Sequence, residues 1–389
     1  MARILPPLRF TGAEILRDGA LQRRSLAVAE GRITKGPLPE VDMRGYLLLP
    51  GLVDLACTSL QRHVAPGQSR RLDPALALDS LDREAAAHGV TTCWLTQGWS
   101  WAGGLSDPDM AEAVLSALDT ARPRLGTDLR IQLRCETHAT DSADRLLAVV
   151  RRHGVGYVTF ADTLTEALEA GPDGLAAAAR QADRQPRAHR AALEAAQDRR
   201  HDVPRHLCRM ADAFDEIGVV YGSHADPDGE TRERFSMIGA RIAELPGSRR
   251  AAAAARAMSN PVLLAAGELA GPGPAAGPAV RDLVADGLCD ALVSDGCPGA
   301  LARAAFALAD AGLCTLPEAW ALVSSGPAGL LRLTDRGRLD HGRRADIVAV
   351  NAESRAIEMT ISGGVLTYLA QGAACRFAEG APALAMAAE

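Results

Sequence analysis

Long apolar runs, lysine, aromatic residues and paired cysteines are all scarce in this sequence, and each scarcity excludes a class of protein. No stretch approaches the roughly 18 consecutive apolar residues needed to span a bilayer. The N-terminal "MARILPPLRF" has no signal-peptide apolar core, so the chain is expected in the cytoplasm with no membrane partner. Its eight cysteines (Cys57, Cys93, Cys135, Cys208, Cys289, Cys297, Cys314, Cys375) contain no C-x-x-C pair, which argues against a zinc ribbon and a small disulfide scaffold; they read as reduced thiols. Lys35 is the single lysine among 42 cationic residues, a bias that reflects genome composition or a preference for planar phosphate-gripping groups. The net charge of −6 is spread without long single-sign blocks, so there is no basic field for nucleic acid. With 4% aromatics and 48% hydrophobic residues, the interior must be built from Ala, Leu and Val. At 389 residues that interior is large enough for one barrel with an accessory layer or for two ordinary domains.

Residues 1 to about 50 alternate short apolar segments with Gly, Asp and Pro in "RILPPLRFTGAEIL", "RRSLAVAEGRITKG" and "GYLLLPGLVDL", the texture of a small antiparallel β layer. The same texture returns after Gly342 in "RADIVAVNAESRAIEMTISGGVLTYLAQG", so the two ends are expected to build one sheet together. Between them "VTTCWLTQ", "LRIQLRCE", "VGYVTFAD", "IGVVYGSH", "NPVLLAAG" and "DALVSD" alternate with Ala-rich helical stretches. These six runs, "GLVDLA" and one weaker strand expected before them make an eight-stranded barrel. The fold class is therefore α/β: a (β/α)8, TIM-type barrel over residues 51–340, with a small composite β-sandwich formed by segments 1–50 and 341–389. The Ala/Arg-rich stretch from about 165 to 214 exceeds one barrel helix and is expected as a helical insert between the fifth and sixth strands, broken at Pro186 and Pro204. The closing "GAPALAMAAE" is expected to fray.

A barrel gathers its chemistry at the C-terminal ends of the strands, and these runs end in Glu136, Asp162, His224 and Asp295. Glu136, His224 and Asp295 would converge there. One imidazole and two carboxylates suit a single Zn2+, Mn2+ or Fe2+ ion with an open position for water; the same three groups could equally close the mouth by hydrogen bonds alone. Asp295, in "CDALVSDGCPGAL", is either an acid that takes a proton from attacking water or a helix N-cap. His224, in "VVYGSHADPDGE", has Asp226 and Asp228 close behind it, as orienting acids or as an Asx-rich turn. Arg62 and His63, with Arg70 and Arg71 farther along, either grip a phosphorylated ligand or form a solvated basic loop. The Gly-rich segment 267–278, "GELAGPGPAAGP", carries three prolines, which lack the N–H groups of a phosphate cradle. His138, two residues past Glu136, is a substitute ligand, whereas strand alternation points Cys57 away from the face of Ala56 and Thr58.

These segments, taken in order, carry a resemblance over nearly the whole chain. "LLLPGLVDL" with "LQRHVAPG", "AAAHGVTT", "LRCE", "GSHAD", "LVSDGCPGALARAAFALA", "LPEAWALVSSGPAGLLRLTDRGRL" and "GRRADIVAV" resemble the amidohydrolase superfamily. Within it they resemble the PhnM type, the α-D-ribose 1-methylphosphonate 5-triphosphate diphosphatases of the carbon–phosphorus lyase pathway. The resemblance implies a hydrolase acting on a phosphorylated sugar, triphosphate to monophosphate plus diphosphate. It places Glu136, His224 and Asp295 at metal positions, makes Asp295 the acid that activates water, and makes Arg62 and His63 the Arg-His pair of the first loop. It also marks departures: the family has a His and an acid where this chain has Ala56 and Thr58, and a His where it has Thr163. The family's Gly-Ser-His loop is replaced by "AGPGPAAGP", and Lys35, in the N-terminal β layer, cannot serve as a carboxylated bridging lysine. A binuclear centre is not expected. One divalent metal (Zn, Mn or Fe) or none is left, and with it two readings: a hydrolase with an incomplete or mononuclear site, or a non-catalytic barrel that binds a phosphorylated metabolite or a partner protein. Either reading leaves room for a homodimer.

Overall fold

The structure is a computed structural model and describes residues 4–65, 72–270 and 279–379. Arg70, Arg71, the "GPGPAAGP" part of the Gly-rich segment and the C-terminal tail lie outside the described residues. Eight strands form one parallel sheet in sequence order: β1 (Leu52–Cys57), β2 (Val90–Trp99), β3 (Asp128–Glu136), β4 (Tyr157–Ala161), β5 (Val220–His224), β6 (Ile242–Glu244), β7 (Val262–Ala265) and β8 (Ala291–Val293). Helices on the outside connect them, as a parallel sheet requires.

The sheet curls until its edges meet. Asp295 N–H donates to the Ala56 carbonyl at 3.1 Å, and Ser294 N–H donates to Asp54 Oδ1 at 3.1 Å. Lower down the gap is bridged by the segment that follows helix Leu316–Ala321: Val53 N–H donates to Val323 O, and Leu292 N–H to Leu322 O. Both edge strands thus find acceptors that a bare edge would lack.

Period-two alternation sorts the side chains. On β3, Ile131, Leu133 and Cys135 join the large core between strands and helices, while Gln132, Arg134 and Glu136 face the barrel axis. Below them Val53, Leu55, Ala56, Trp94, Tyr157, Ile242, Leu263, Ala291 and Val293 fill the barrel as a separate apolar cluster. The barrel is a packed core with a polar upper layer.

Two sequence expectations need correction. The weak eighth strand does not precede the others; it is β6, three residues between β5 and β7. The helical insert, which comprises helices Leu164–Glu169, Gly171–Gln181, Pro186–Asp198 and Val203–Ile217, lies between the fourth and fifth strands. Pro186 and Pro204 stand in the first turns of its last two helices, where proline's missing N–H costs nothing.

Both chain ends contribute to one six-stranded sheet in the order 365–369, 357–362, 347–351, 46–50, 14–17, 20–23. Its joint is the antiparallel pairing of Val348 with Leu49. A four-stranded sheet, in the order 32–34, 26–29, 8–11, 40–42, shares with it a second core that includes Phe10, Ile15, Val28, Leu48, Ile347 and Met359.

Candidate functional site

At the barrel mouth the polar layer is knitted around Glu244, the last residue of β6. Its carboxylate accepts from Arg134 Nη2 at 2.8 Å, from Tyr157 OH at 3.2 Å and from Gln132 Nε2, and His224 Nδ1 lies 2.9 Å away. Gln132 is itself fixed from both sides, accepting from Thr96 Oγ1 at 2.5 Å and donating to Thr159 Oγ1 at 3.2 Å. Burial on its own would push Glu244 up, but the Arg134 guanidinium and His224 outweigh it and hold the carboxyl at about 2. Glu244 is therefore a permanent anion inside the barrel. Burial and the same carboxylate push the Tyr157 phenol well above its ordinary range, so it remains a donor.

His224 is thereby tied by Nδ1 to Glu244, which leaves Nε2 for other partners. The acids expected to orient it do other work. Asp228 caps helix Gly229–Met237, accepting from Thr231 N at 2.8 Å. Asp226 is buried against the fully buried Arg232, which also donates to Ser223 Oγ and to the carbonyls of Ala240 and Ile242. The orienting acid is Glu244, a residue the sequence reading passed over. Its signal was the short alternation "RIAEL", with an acid following two buried positions.

Glu136, at the end of β3, has His138 and Asp162 beside it, and one ligand atom from each of the three lies within 4.8 Å of the others. His138 Nδ1 is 3.3 Å from Glu136 Oε1 and 3.9 Å from Asp162 Oδ1. Glu136 and His138 are buried, while Asp162 is exposed. Glu136 Oε2 accepts both the backbone N–H of Thr163, at 3.0 Å, and its hydroxyl. Thr163 thus supplies donors to the carboxylate. One imidazole and two carboxylates fit a single divalent cation. A two-metal centre does not fit: Ala56 offers no ligand, and Thr163 spends its hydroxyl on Glu136. Among the described residues, the ligand groups that include Glu136 bring it to His138 and Asp162, and neither His224 nor Asp295 is in that group.

Asp295 lies just past β8, exposed and in the left-handed region with φ +42°, followed by Gly296 at +99°. It is not an N-cap: helix Ala300–Asp310 is preceded by Gly299. A Cβ on Gly296 would come within 2.9 Å of Thr58 Oγ1, so this loop passes close over the end of β1. Arg62 reaches the same loop, donating to the Gly296 carbonyl and, at 2.6 Å, to Ser59 Oγ. Its other nitrogen meets Glu84 Oε1, and His63 Nε2 lies 2.7 Å from Glu84 Oε2. One acid on helix Pro74–Ala87 therefore holds both members of the Arg-His pair at the rim. Cys57 faces away from the mouth, as alternation required, toward Cys93 and Asp54.

No family model matches the chain. It is 28% identical over 379 residues, 90% of this chain and 97% of its relative, to the α-D-ribose 1-methylphosphonate 5-triphosphate diphosphatase of Escherichia coli strain K12. Among solved structures it is similar to a β-aspartyl dipeptidase of Fervidobacterium islandicum AW-1, with TM-score 0.66 and 15% identity, covering 95% of this chain and 97% of that one. It is also similar to the N-acetylglucosamine-6-phosphate deacetylase of Pasteurella multocida, with TM-score 0.63 and 10% identity, covering 92% and 99%. These structural likenesses establish the fold. By sequence the chain is similar to that diphosphatase over nine-tenths of its length, and by fold it is an eight-stranded parallel β/α barrel like those two structures.

Proposed function

We propose that this chain is a cytoplasmic, PhnM-like hydrolase related to phosphonate metabolism, acting on a phosphorylated sugar at the C-terminal mouth of its barrel. The observation that carries the reading is the 28% identity to a diphosphatase along 90% of the chain. In the reaction so inferred, water attacks the phosphorus next to the sugar. The bond to the departing diphosphate breaks, and the water proton passes to a carboxylate.

Exposed Asp295, at the mouth, is the group proposed to take that proton. Arg62, with its guanidinium at the rim, and His63 beside it are proposed to meet the phosphate oxygens, giving up part of their hold on Glu84. One divalent cation, Zn2+, Mn2+ or Fe2+, would supply Lewis acidity there, held by Glu136 with His138 and Asp162, or by Glu136 with His224 and Asp295 across the mouth. Arg134 and Glu244 keep His224 in place.

A second reading, a non-catalytic barrel that binds a phosphorylated metabolite, is favoured by one observation: Thr163 takes up Oε2 of Glu136 with two hydrogen bonds, which leaves only Oε1, beside His138, for a metal.

Elemental analysis of the protein grown with Zn, Mn and Fe, together with an assay of diphosphate release from sugar triphosphates, separates the two. The hydrolase reading expects one metal per chain that is lost in Glu136→Gln, together with turnover lost in the same variant, and activity reduced at least about 100-fold in Asp295→Asn. Loss of metal in His138→Ala but not in His224→Ala would place the ion beside β3. Absence of turnover across the series, with tight binding of a sugar phosphate, would establish the second reading.

A further inference from the structure

Behind the mouth, on the outer face of β1 and β2, lies a second group of potential ligands that the mouth chemistry does not use. Asp54, Cys57 and Cys93 are all at most 1% exposed, and one ligand atom from each lies within 4.8 Å of the other two. Asp54 and Cys93 are register neighbours across the β1–β2 pairing, and the register shift between Asp54 and Cys57 brings the second thiol to the same place.

Two buried thiols in a core would be unremarkable, because free cysteine packs as a small apolar residue. The polar atoms beside them are not. Asp54 Oδ1 is satisfied by the N–H groups of Ser294, at 3.1 Å, and Ala56, at 3.3 Å, but Oδ2 is buried with no partner. Ser294 Oγ, also buried, makes no hydrogen bond of good geometry, yet it lies close enough to Asp54 and Cys57 to favour the charged form of each. Buried carboxylate and hydroxyl oxygens are almost always paired, and leaving one unpaired costs about 1–3 kcal/mol or more.

We infer that Asp54, Cys57 and Cys93 form a closed binding site for a thiophilic divalent cation such as Zn2+, with Ser294 Oγ as the fourth donor. Two sulfurs and two oxygens make a tetrahedral set for zinc, whose bonds of about 2.0–2.3 Å put neighbouring ligands roughly 3.3–3.8 Å apart. From a spacing within 4.8 Å, the ligands need to close by at most about 1.0–1.5 Å to meet that requirement. Each thiol releases one proton on binding, and two thiolates, one carboxylate and M2+ leave a net charge of −1. Since every residue of the set is buried, the site is structural. It clamps the edge where β8, through Ser294, meets β1.

Titration of the metal-stripped, reduced full-length protein with Co2+ tests this. The expected result is a near-ultraviolet thiolate-to-cobalt charge-transfer band that saturates at one equivalent, separate from any ion held at the mouth, and that is lost in Cys57→Ser and in Cys93→Ser and kept in Glu136→Gln. No band in the unmodified protein, or a band surviving in either cysteine variant, overturns the proposal. So does loss of the band in Glu136→Gln, which would assign the ion to the mouth. Should the cysteine variants fail to fold, alkylation of the unmodified protein in mild denaturant decides the matter. Zn2+ should slow labelling of Cys57 and Cys93 at least tenfold and leave exposed Cys208 and Cys375 unaffected; rates at Cys57 and Cys93 that Zn2+ does not slow overturn it.

Discussion

At the scale of single residues, the mouth is governed by one acid that lies on one of its two shortest strands. Glu244 is 1% exposed and faces Arg134, whose side chain retains about a fifth of its exposure. Removing one member of a buried ion pair leaves the other charge uncompensated, at a cost of about 3–5 kcal/mol. Glu244→Gln is therefore expected to lower stability by about 3 kcal/mol, read as a shift of the urea midpoint at unchanged slope. Gln would keep the hydrogen bond from Tyr157 but would also present an amide to the Gln132 amide. The double variant Glu244→Gln with Arg134→Met removes the orphaned charge and should recover part of the loss; a double variant as unstable as the sum of the two singles would show that the pair is not coupled. Of this network, only His224 was singled out in the sequence. "RIQLRCE" alternates polar with apolar, which marks a strand with one polar inner face, and its terminal Glu136 was read as a mouth residue. Arg134 and Gln132 were passed over because a polar residue in mid-strand points to a site only once its partner is known, and that partner sits 110 residues away.

At the scale of elements, β6 was missed although β8 is equally short: "DALVSD" is an apolar run closed by an acid and a Gly-Pro turn, whereas "RIAEL" has only two apolar residues between charged ones. The three residues of β6 are held in place by how closely β5 approaches, and Gly222 sets that distance. A Cβ at position 222 would lie 2.3 Å from the Ile242 carbonyl oxygen and 2.7 Å from Ile242 Cβ. Because the first of these is a backbone atom, trimming the side chain cannot relieve it. Gly222→Ala should cost about 2–3 kcal/mol, and adding Ile242→Val should not restore the loss, as thermal melts of both variants would report. Two residues on from each of these positions stand His224 and Glu244, paired across the same two strands. Gly222→Ala is thus also expected to weaken any metal binding or turnover that depends on His224, while a site at Glu136, His138 and Asp162 is spared. The insert was recognised by its composition but assigned one strand too late, because the count began with a strand that does not exist. Composition shows that an excursion is present, whereas only a complete strand count shows where it departs.

At the scale of the whole molecule, the C-terminal segment is fastened to the barrel at the opposite end from the mouth. Arg336, 6% exposed, donates to Thr92 Oγ1 at 2.8 Å and to Asp128 Oδ2 at 2.7 Å, at the N-terminal ends of β2 and β3. A few residues later the same stretch joins the four-stranded sheet, where Ile33 N–H donates to Arg343 O and Gly342 N–H to Ile33 O. Asp128 is thus a point through which barrel and terminal layers are coupled, and no sequence pattern marks it, since an Asp at the start of a strand most often lies in a turn. Burial tends to raise its carboxyl, but Arg130 and Arg336 outweigh that tendency and hold it at about 2, against an ordinary value of 3.8. A folded-state value below the unfolded one means that the unfolded chain binds its proton first as pH falls. The stabilisation is therefore complete above pH 3.8 and is lost as pH drops from there toward 2. The shift corresponds to about 2 kcal/mol. Asp128→Asn should be less stable than the parent by about that amount at pH 7, and the difference between the two should shrink through pH 4 and 3 and vanish only below pH 2. Urea midpoints measured across that range check the expectation, with the exposed pair of Asp310 and Arg355 as a control: Asp310→Asn should leave the acid limb in place. A gap between parent and Asp128→Asn that stays constant with pH would mean that Asp128 acts through hydrogen-bond geometry alone. In that case the charge of Arg336 would be neutralised elsewhere, with Asp335, 2.9 Å from its Nε, the first residue to replace.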